Sequence, residues 1–272
     1  MRKLLLFTAA LLIVSNLYGQ DLVILHVNDT HSQIDVQSSG RSKGFGGFIR
    51  RANYISYVRS QHNNVLLFDA GDYNQGTPYF TLFKGDLEID LNNNIGLDVA
   101  CLGNHEFDNG QEELARRLAM ANYPTICANY DFSNSPLKDY VKPYVILEKG
   151  GKRIGIIGVL IDINGYVSAK SRANVVYKNP IAVVNKLAKQ LKKKEKCDLI
   201  VVLSHLGFEA ESKSPSDKEL AAASKNVDLI IGGHSHTFLE SSVEIKNASG
   251  KRVIVTQAGA YGVYVGRFDL TF

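Results

Sequence analysis

Five short segments of this 272-residue chain crowd together side chains that donate oxygen or nitrogen: Asn28-Asp29-Thr30-His31, Asp69-Ala70-Gly71-Asp72, Gly103-Asn104-His105-Glu106, Ser204-His205 and Gly232-Gly233-His234-Ser235-His236. Each follows an apolar run of strand character, the place where open α/β sheets put their sites. Glycine or another small residue stands beside each, so the backbone can turn sharply and approach an ion or a phosphate. Singly these segments mean little, because an Asp-x-His arises by chance and a strand-end Asp more often caps the next helix. Together they supply two carboxylates (Asp29, Asp72), one amide oxygen (Asn104) and four imidazoles (His31, His205, His234, His236), a mixed donor set suited to two divalent first-row ions. Of the seven histidines, only His26, on the first strand, and His62, in a polar loop, fall outside these segments, and neither needs a chemical role.

The elements that must position these groups are legible as apolar runs bounded by Asp, Gly and Asn. Buried strands are predicted over Leu22–Val27, Val65–Phe68, Val99–Leu102, Thr125–Ala128, Ile154–Val159, Leu199–Leu203 and Leu229–Ile231. Tyr144–Leu147, Val253–Thr256 and Val263–Leu270 have a more alternating, antiparallel character. Helical periodicity predicts helices over Gly47–Arg59, Gln111–Ala121 and Pro180–Lys194, the last with Pro at a tolerated first-turn position. Alternation of the two kinds of element argues an α/β domain. No repeat, low-complexity tract or Pro-rich linker divides it, so residues 20–272 read as one domain.

Residues 1–19 read as a secretory signal peptide: Arg2 and Lys3, then an apolar run from Leu4 to Val14, with Gly19 a cleavage point before Gln20. That run is too short for a permanent anchor. No Cys near the junction could carry a lipid, and no later run approaches the roughly 20 apolar residues of a spanning helix, so no stable membrane anchor is expected. Loss of Arg2 and Lys3 takes the formal charge from +4 to +2. A nucleic-acid binder would carry a stronger, clustered excess of Lys and Arg, and the one dense run, Lys189 to Lys196, reads as a solvated helix end. Cys101, Cys127 and Cys197 lie far apart in apolar segments and are expected to be buried and reduced, although an oxidising compartment leaves one unassigned pairing open. The sequons at Asn28 and Asn247 are discounted as chance. Tyr73, Tyr79, Tyr166 and Tyr261 are read as packing, with base stacking as the alternative.

Taken together, Asn28 through His31, Gly46-Gly47, Gly71-Asp72 with Gln75-Gly76-Thr77, Leu82 through Gly85, Gly103 through Asp108, Leu203 through Gly207, Gly233 through His236 and the closing Gly266 through Leu270 resemble the metallophosphoesterases of calcineurin-like fold, in their 5′-nucleotidase branch. The resemblance implies a four-layer αββα sandwich with mixed sheets and metals at the C-terminal ends of strands. It implies that Asp29, His31 and His236 hold one divalent ion, that Asn104, His205 and His234 hold the other, and that Asp72 bridges them. The donors admit Zn²⁺, Mn²⁺, Fe or Co²⁺. A hydroxide shared by the ions would attack phosphorus in line. His105 is then the candidate for stabilising the transition state or protonating the leaving alkoxide, and Asp108 either orients it or caps the helix at Gln111.

Two departures bear on substrate. His236 stands where some members of the resembled family have Gln, and a separate C-terminal nucleotide-recognition domain after Phe272 is not expected. The expectation is an exported, periplasmic phosphoesterase acting on 5′-nucleotides or related small phosphate esters. The alternatives are a phosphodiesterase or nucleotide-sugar hydrolase on the same scaffold, or a metal-binding subunit needing a separate substrate-binding chain.

Overall fold

A computed structural model describes residues 22–209 and 214–272, so the expected signal segment, 1–19, lies outside the described residues. Two six-stranded sheets face each other. The first has the order β14-β1-β2-β3-β4-β6, built from β1 (Leu22–Val27), β2 (Val65–Asp69), β3 (Val99–Cys101), β4 (Thr125–Ile126), β6 (Val141–Lys142) and β14 (Gly266–Leu270). All are parallel except β14, which closes antiparallel onto β1. The second has the order β12-β13-β11-β10-β8-β7, from β7 (Tyr144–Lys149), β8 (Lys152–Leu160), β10 (Leu199–His205), β11 (Leu229–Gly232), β12 (Val243–Lys246) and β13 (Arg252–Thr256). Its four central strands are parallel and β7 and β12 are antiparallel edges. A small pair, β5 (Tyr130–Asp131) with β9 (Val176–Tyr177), lies apart.

Alternate residues of the central strands point to different layers, the consequence of the two-residue period of a strand. Leu22, Ile24, Leu66 and Phe68 of the first sheet meet Ile154, Ile156, Val201, Leu203 and Ile231 of the second in a core between the sheets. Their neighbours Val23, Leu25 and Leu67 face outward onto Phe48, Ile55 and Val58 of α1 (Phe48–Gln61) and Ile89 of α3 (Asp86–Asn94). Ile200, Val202 and Ile230 face Val184, Ala188 and Leu191 of α5 (Pro180–Lys193) and Leu220 of α6 (Asp217–Ala223). The result is helix, sheet, sheet, helix. Both faces of each sheet are covered, which is why its central strands read as continuous apolar runs.

Several boundaries differ from expectation for physical reasons. The strand expected over Thr125–Ala128 pairs only at Thr125–Ile126, because the Ala128 amide turns to the carbonyl of Gly158 in the other sheet. The strand expected from Val263 begins at Gly266. The helix from Gln111, α4 (Gln111–Leu118), starts behind Gly110 rather than an Asp108 cap. Three further helices, α2 (Pro78–Phe83), α3 and α6, were not expected. Cys101, Cys127 and Cys197 are buried and free. Among the described residues no helix is long and apolar enough to cross a membrane.

His26 is fully enclosed on β1, stacked on Phe268 at 6.0 Å between ring centroids, with neither ring nitrogen hydrogen-bonded. Burial pushes its pKa from 6.5 down to about 4. The unfolded chain therefore binds this proton more tightly than the folded one, so this group leaves stability intact above pH 6.5 and subtracts from it as the pH falls to 4, by on the order of 3 kcal/mol. In denaturation of the metal-free protein, the stability of His26→Leu relative to the unaltered chain should rise steadily between pH 7 and 4. A pH-independent difference would show that the ring is solvated.

Candidate active site

Because the central strands are parallel within each sheet, the C-terminal ends of β1, β2, β3, β10 and β11 open at one end of the sandwich, and the donor-rich segments meet there. Backbone hydrogen bonds fasten the first two loops together: Asp29 N donates to Gly71 O at 2.9 Å and His31 N to Asp72 O at 3.0 Å. Two glycines permit the remaining approaches. A Cβ on Gly103 would collide with the Asp72 carboxylate, and one on Gly233 would stand 2.8 Å from His205 Nδ1 and 2.9 Å from Ala70 O.

The seven ligand-type side chains form two adjoining clusters. Asp29, His31 and His236 offer donor atoms all within 4.8 Å of one another, and so do Asp72, His205 and His234. His31 Nε2 and His236 Nε2 lie 2.9 Å apart, and His236 Nε2 is 3.5 Å from Asp29 Oδ1. In the second cluster His205 Nε2 is 2.9 Å from Asp72 Oδ2, and Asn104 Oδ1 is 3.0 Å from His234 Nδ1. The clusters touch where His205 Nε2 comes within 3.9 Å of Asp29 Oδ1.

The donor set fits a pair of cations. His205 donates from Nδ1 to Ala70 O at 2.7 Å, which turns Nε2 toward Asp72, yet that buried Nε2 makes no well-directed hydrogen bond. Burial holds His31 and His234 down to about 4 and lowers His236, so three imidazoles are neutral with lone pairs available near pH 7. His205 is the exception. Burial disfavours its charge, but Asp72 and Asp29 overcome that and raise it to about 10, so without metal a proton there supplies the positive charge the two carboxylates require. Asp72 is held well below the usual carboxylate range despite burial, chiefly by His205, whereas burial pushes Asp29 up to about 7.

Five of these side chains hang from strained backbone. Asp29 (φ 51°), His31 (48°), Asp72 (57°), His234 (74°) and His236 (53°) all occupy the left-handed region. That region costs an L-residue roughly 1–2 kcal/mol. Such strain persists where the surroundings over-determine it, typically at functional sites.

His105 lies beside the clusters rather than in them. Its ring packs edge-on to His31, with centroids 5.3 Å apart, and its Nδ1 is 2.8 Å from Asp108 Oδ2. Burial works against its charge, but the Asp108 bond and the nearby Asp72 outweigh it and raise the pKa. The groups open on a cavity of about 350 Å³, lined by His31, Asp72, Asn104, His105, His234 and His236 with Gln75, Gly76, Tyr166 and Tyr261. Tyr166 packs edge-on to His234 and Tyr261 to His236, both half-exposed at the rim, whereas Tyr73 is buried and Tyr79 donates to Asp35 away from the cavity. A larger hollow of about 560 Å³, between Phe238 and Arg267, holds none of the clustered donors, so the smaller one is the candidate site.

Sequence reasoning missed the residues that hold the ligands. Asn28 donates to Asp29 Oδ2 at 2.7 Å and accepts from Ala258 N at 2.8 Å. Gln257 donates to Gly233 O at 2.8 Å, and its oxygen accepts from Ser235 Oγ and Thr237 N, shaping the loop that carries His234 and His236. Nothing in the local sequence marks Gln257. Glu106 sits inside a recognised motif, but its role was unread; burial and the neighbouring Asp72 push it up to about 7 against the amides that bond it.

The family model of the calcineurin-like phosphoesterases matches residues 22–238. A snake venom 5′-nucleotidase of Gloydius brevicauda is 35% identical over 295 residues, covering 98% of this chain and 47% of the relative. Among solved structures, a 5′-nucleotidase precursor from Thermus thermophilus is 33% identical with a TM-score of 0.83, covering 93% of this chain and 51% of that one. The NAD nucleotidase of Haemophilus influenzae is 30% identical, again with a TM-score of 0.83, over 94% of this chain and 48% of that one. The chain thus spans about half the length of these relatives.

Proposed function

Since the chain belongs to the calcineurin-like phosphoesterase family, we propose that it hydrolyses phosphate esters, most favourably 5′-nucleotides, at a centre of two divalent metal ions. The observation that carries this reading is the adjacency of two three-residue donor clusters beneath one open cavity. Asp29, His31 and His236 would hold one ion and Asn104, His205 and His234 the other, with Asp72 between them. Bound there, such ions neutralise phosphate charge and generate a nucleophile from water near neutral pH.

The chain's own groups do the rest. The Asp108 carboxylate accepts from His105 Nδ1 and so leaves Nε2 directed at the cavity, where it can bond a phosphoryl oxygen or hand a proton to the departing alkoxide. His205, Asn28 and Gln257 keep the ligand loops in register from behind. Tyr166 and Tyr261 stand where the organic part of a substrate would leave the cavity.

The test is phosphate release from AMP, a 2′,3′-cyclic nucleotide and UDP-glucose with added Mn²⁺ or Zn²⁺. AMP should be cleaved in preference. Preference for either of the others would move the assignment to a phosphodiesterase or a nucleotide-sugar hydrolase, and inactivity on all three with both metals bound would defeat it. A second reading, a subunit completed by a separate substrate-binding chain, draws support from the 47% coverage of the venom relative. It requires that the purified chain turn over AMP only when that partner is added. We also propose residues 1–19 as a cleaved signal, 20–272 as the metal-binding domain and the periplasm as its destination, on the charge and apolar pattern from Arg2 to Val14.

A further inference from the structure

The fully buried side chain of Glu106 accepts hydrogen bonds from three backbone amides in two different loops. Its Oε2 takes Gly103 N at 2.6 Å and Asp72 N at 3.0 Å, and its Oε1 takes Asn74 N at 3.3 Å. The preceding residue completes the grip, because His105 N donates to Asp72 Oδ1 at 2.8 Å. Asp72 is thus held by its backbone through Glu106 and by its carboxylate through His105. The turn that supplies both is itself anchored: the buried Arg117 of α4 donates through Nη2 to Glu106 O at 2.9 Å and through Nη1 to Lys84 O at 2.7 Å.

This grip suits the strained conformation it holds. Asp72 has a φ of 57°, and a conformation of that kind needs external bonds to persist. Only a carboxylate can accept at both oxygens; glutamine has one acceptor oxygen and would turn an NH₂ group toward a backbone N–H. Among the described hydrogen bonds, Glu106 makes none to Asp29, His31 or His236. Its reach is confined to the Asp72 turn and to Gly103, which opens the loop carrying Asn104 and His105.

We propose that Glu106 is a positioning residue chiefly for one of the two cation sites, fixing Asp72 and the Asn104 loop at the separation that the second ion requires, while the Asp29, His31 and His236 site depends on it only through Asp72. This rests on the two-metal reading above. The expected signature is therefore asymmetric, which a general loss of packing would not produce.

The experiment is a Mn²⁺ titration of the metal-free chain by calorimetry, with metal content per chain, for the unaltered protein, Glu106→Gln and Glu106→Asp. The unaltered chain should take two ions. Glu106→Gln should bind the second ion roughly 10–100-fold more weakly, the usual consequence of losing a group that orients ligands, and the first ion with a clearly smaller loss. Glu106→Asp, which keeps the charge but not the reach, should fall between. Equal weakening of both sites in Glu106→Gln, or of neither, would overturn the proposal. An unaltered chain that binds fewer than two ions would instead defeat the two-metal reading and this inference with it. Should the variants fail to fold, hydrogen exchange in the unaltered protein decides: the amides of Asp72, Asn74 and Gly103 must be among the slowly exchanging ones, and rapid exchange there rules the clamp out.

Discussion

Asp72→Ala is expected to abolish phosphatase activity and reduce bound metal in the same step. Asp72 is the carboxylate of the second cluster and the proposed bridge to the first, 2.9 Å from His205 Nε2 through one oxygen and bonded to His105 N at 2.8 Å through the other. Metal ions contribute several kcal/mol of transition-state charge stabilisation, and each 1.36 kcal/mol is tenfold in rate, so loss of the shared ligand should lower kcat on AMP by roughly 10³-fold or more. Elemental analysis should find fewer than two ions per chain. The control is His62→Ala, a half-buried residue whose ring meets Arg267 and which does not line the cavity; it should alter neither quantity. An Asp72→Ala protein that kept its turnover would remove the basis of the two-metal assignment.

His105→Ala should separate proton transfer from metal binding. Its ring lies outside both clusters, so metal content should stay at the level of the unaltered chain while kcat falls by about 10²–10⁴-fold, the range for general acid–base groups. If His105 protonates the leaving oxygen, the deficit should shrink markedly for p-nitrophenyl phosphate, whose leaving group needs no proton. An equal deficit on both substrates would instead assign the ring to stabilising charge on the phosphoryl oxygens. Asp108→Asn removes the carboxylate at 2.8 Å that fixes the tautomer and should give a smaller loss in the same direction. Loss of metal from His105→Ala would contradict the separation of this residue from the ligand set.

The elements missed in the sequence were missed for identifiable reasons. The segment of α3 reads DLEIDLNNN, with three asparagines at its end, so its propensity is poor. It is helical because Ile89 is buried against the first sheet. For α6 the signal was present and went unread: Ser216 and Glu219 form a complete capping box, a pattern visible as Ser-x-x-Glu. α2 begins at Pro78 and ends where Lys84 turns left-handed at φ 54°, and at six residues it is too short to show a period. The short pairs at β5, β6 and β9 depend on partners distant in sequence, which no local pattern encodes.

By itself the sequence determined the α/β class, the central strands and the inventory of donors, because a buried strand must be apolar along its length and a cation site must have oxygen and nitrogen ligands wherever they come from. Composition and spacing record those requirements directly. The grouping of the donors came with the family resemblance; only the tertiary structure decided how closely they approach, which ring nitrogen each histidine presents, that Asp108 bonds His105 instead of capping a helix, and that Glu106 and Gln257 hold the loops. Those outcomes depend on distances between segments as far apart as Asp29 and His236, and on backbone angles that a local sequence does not favour unless the packed sandwich enforces them.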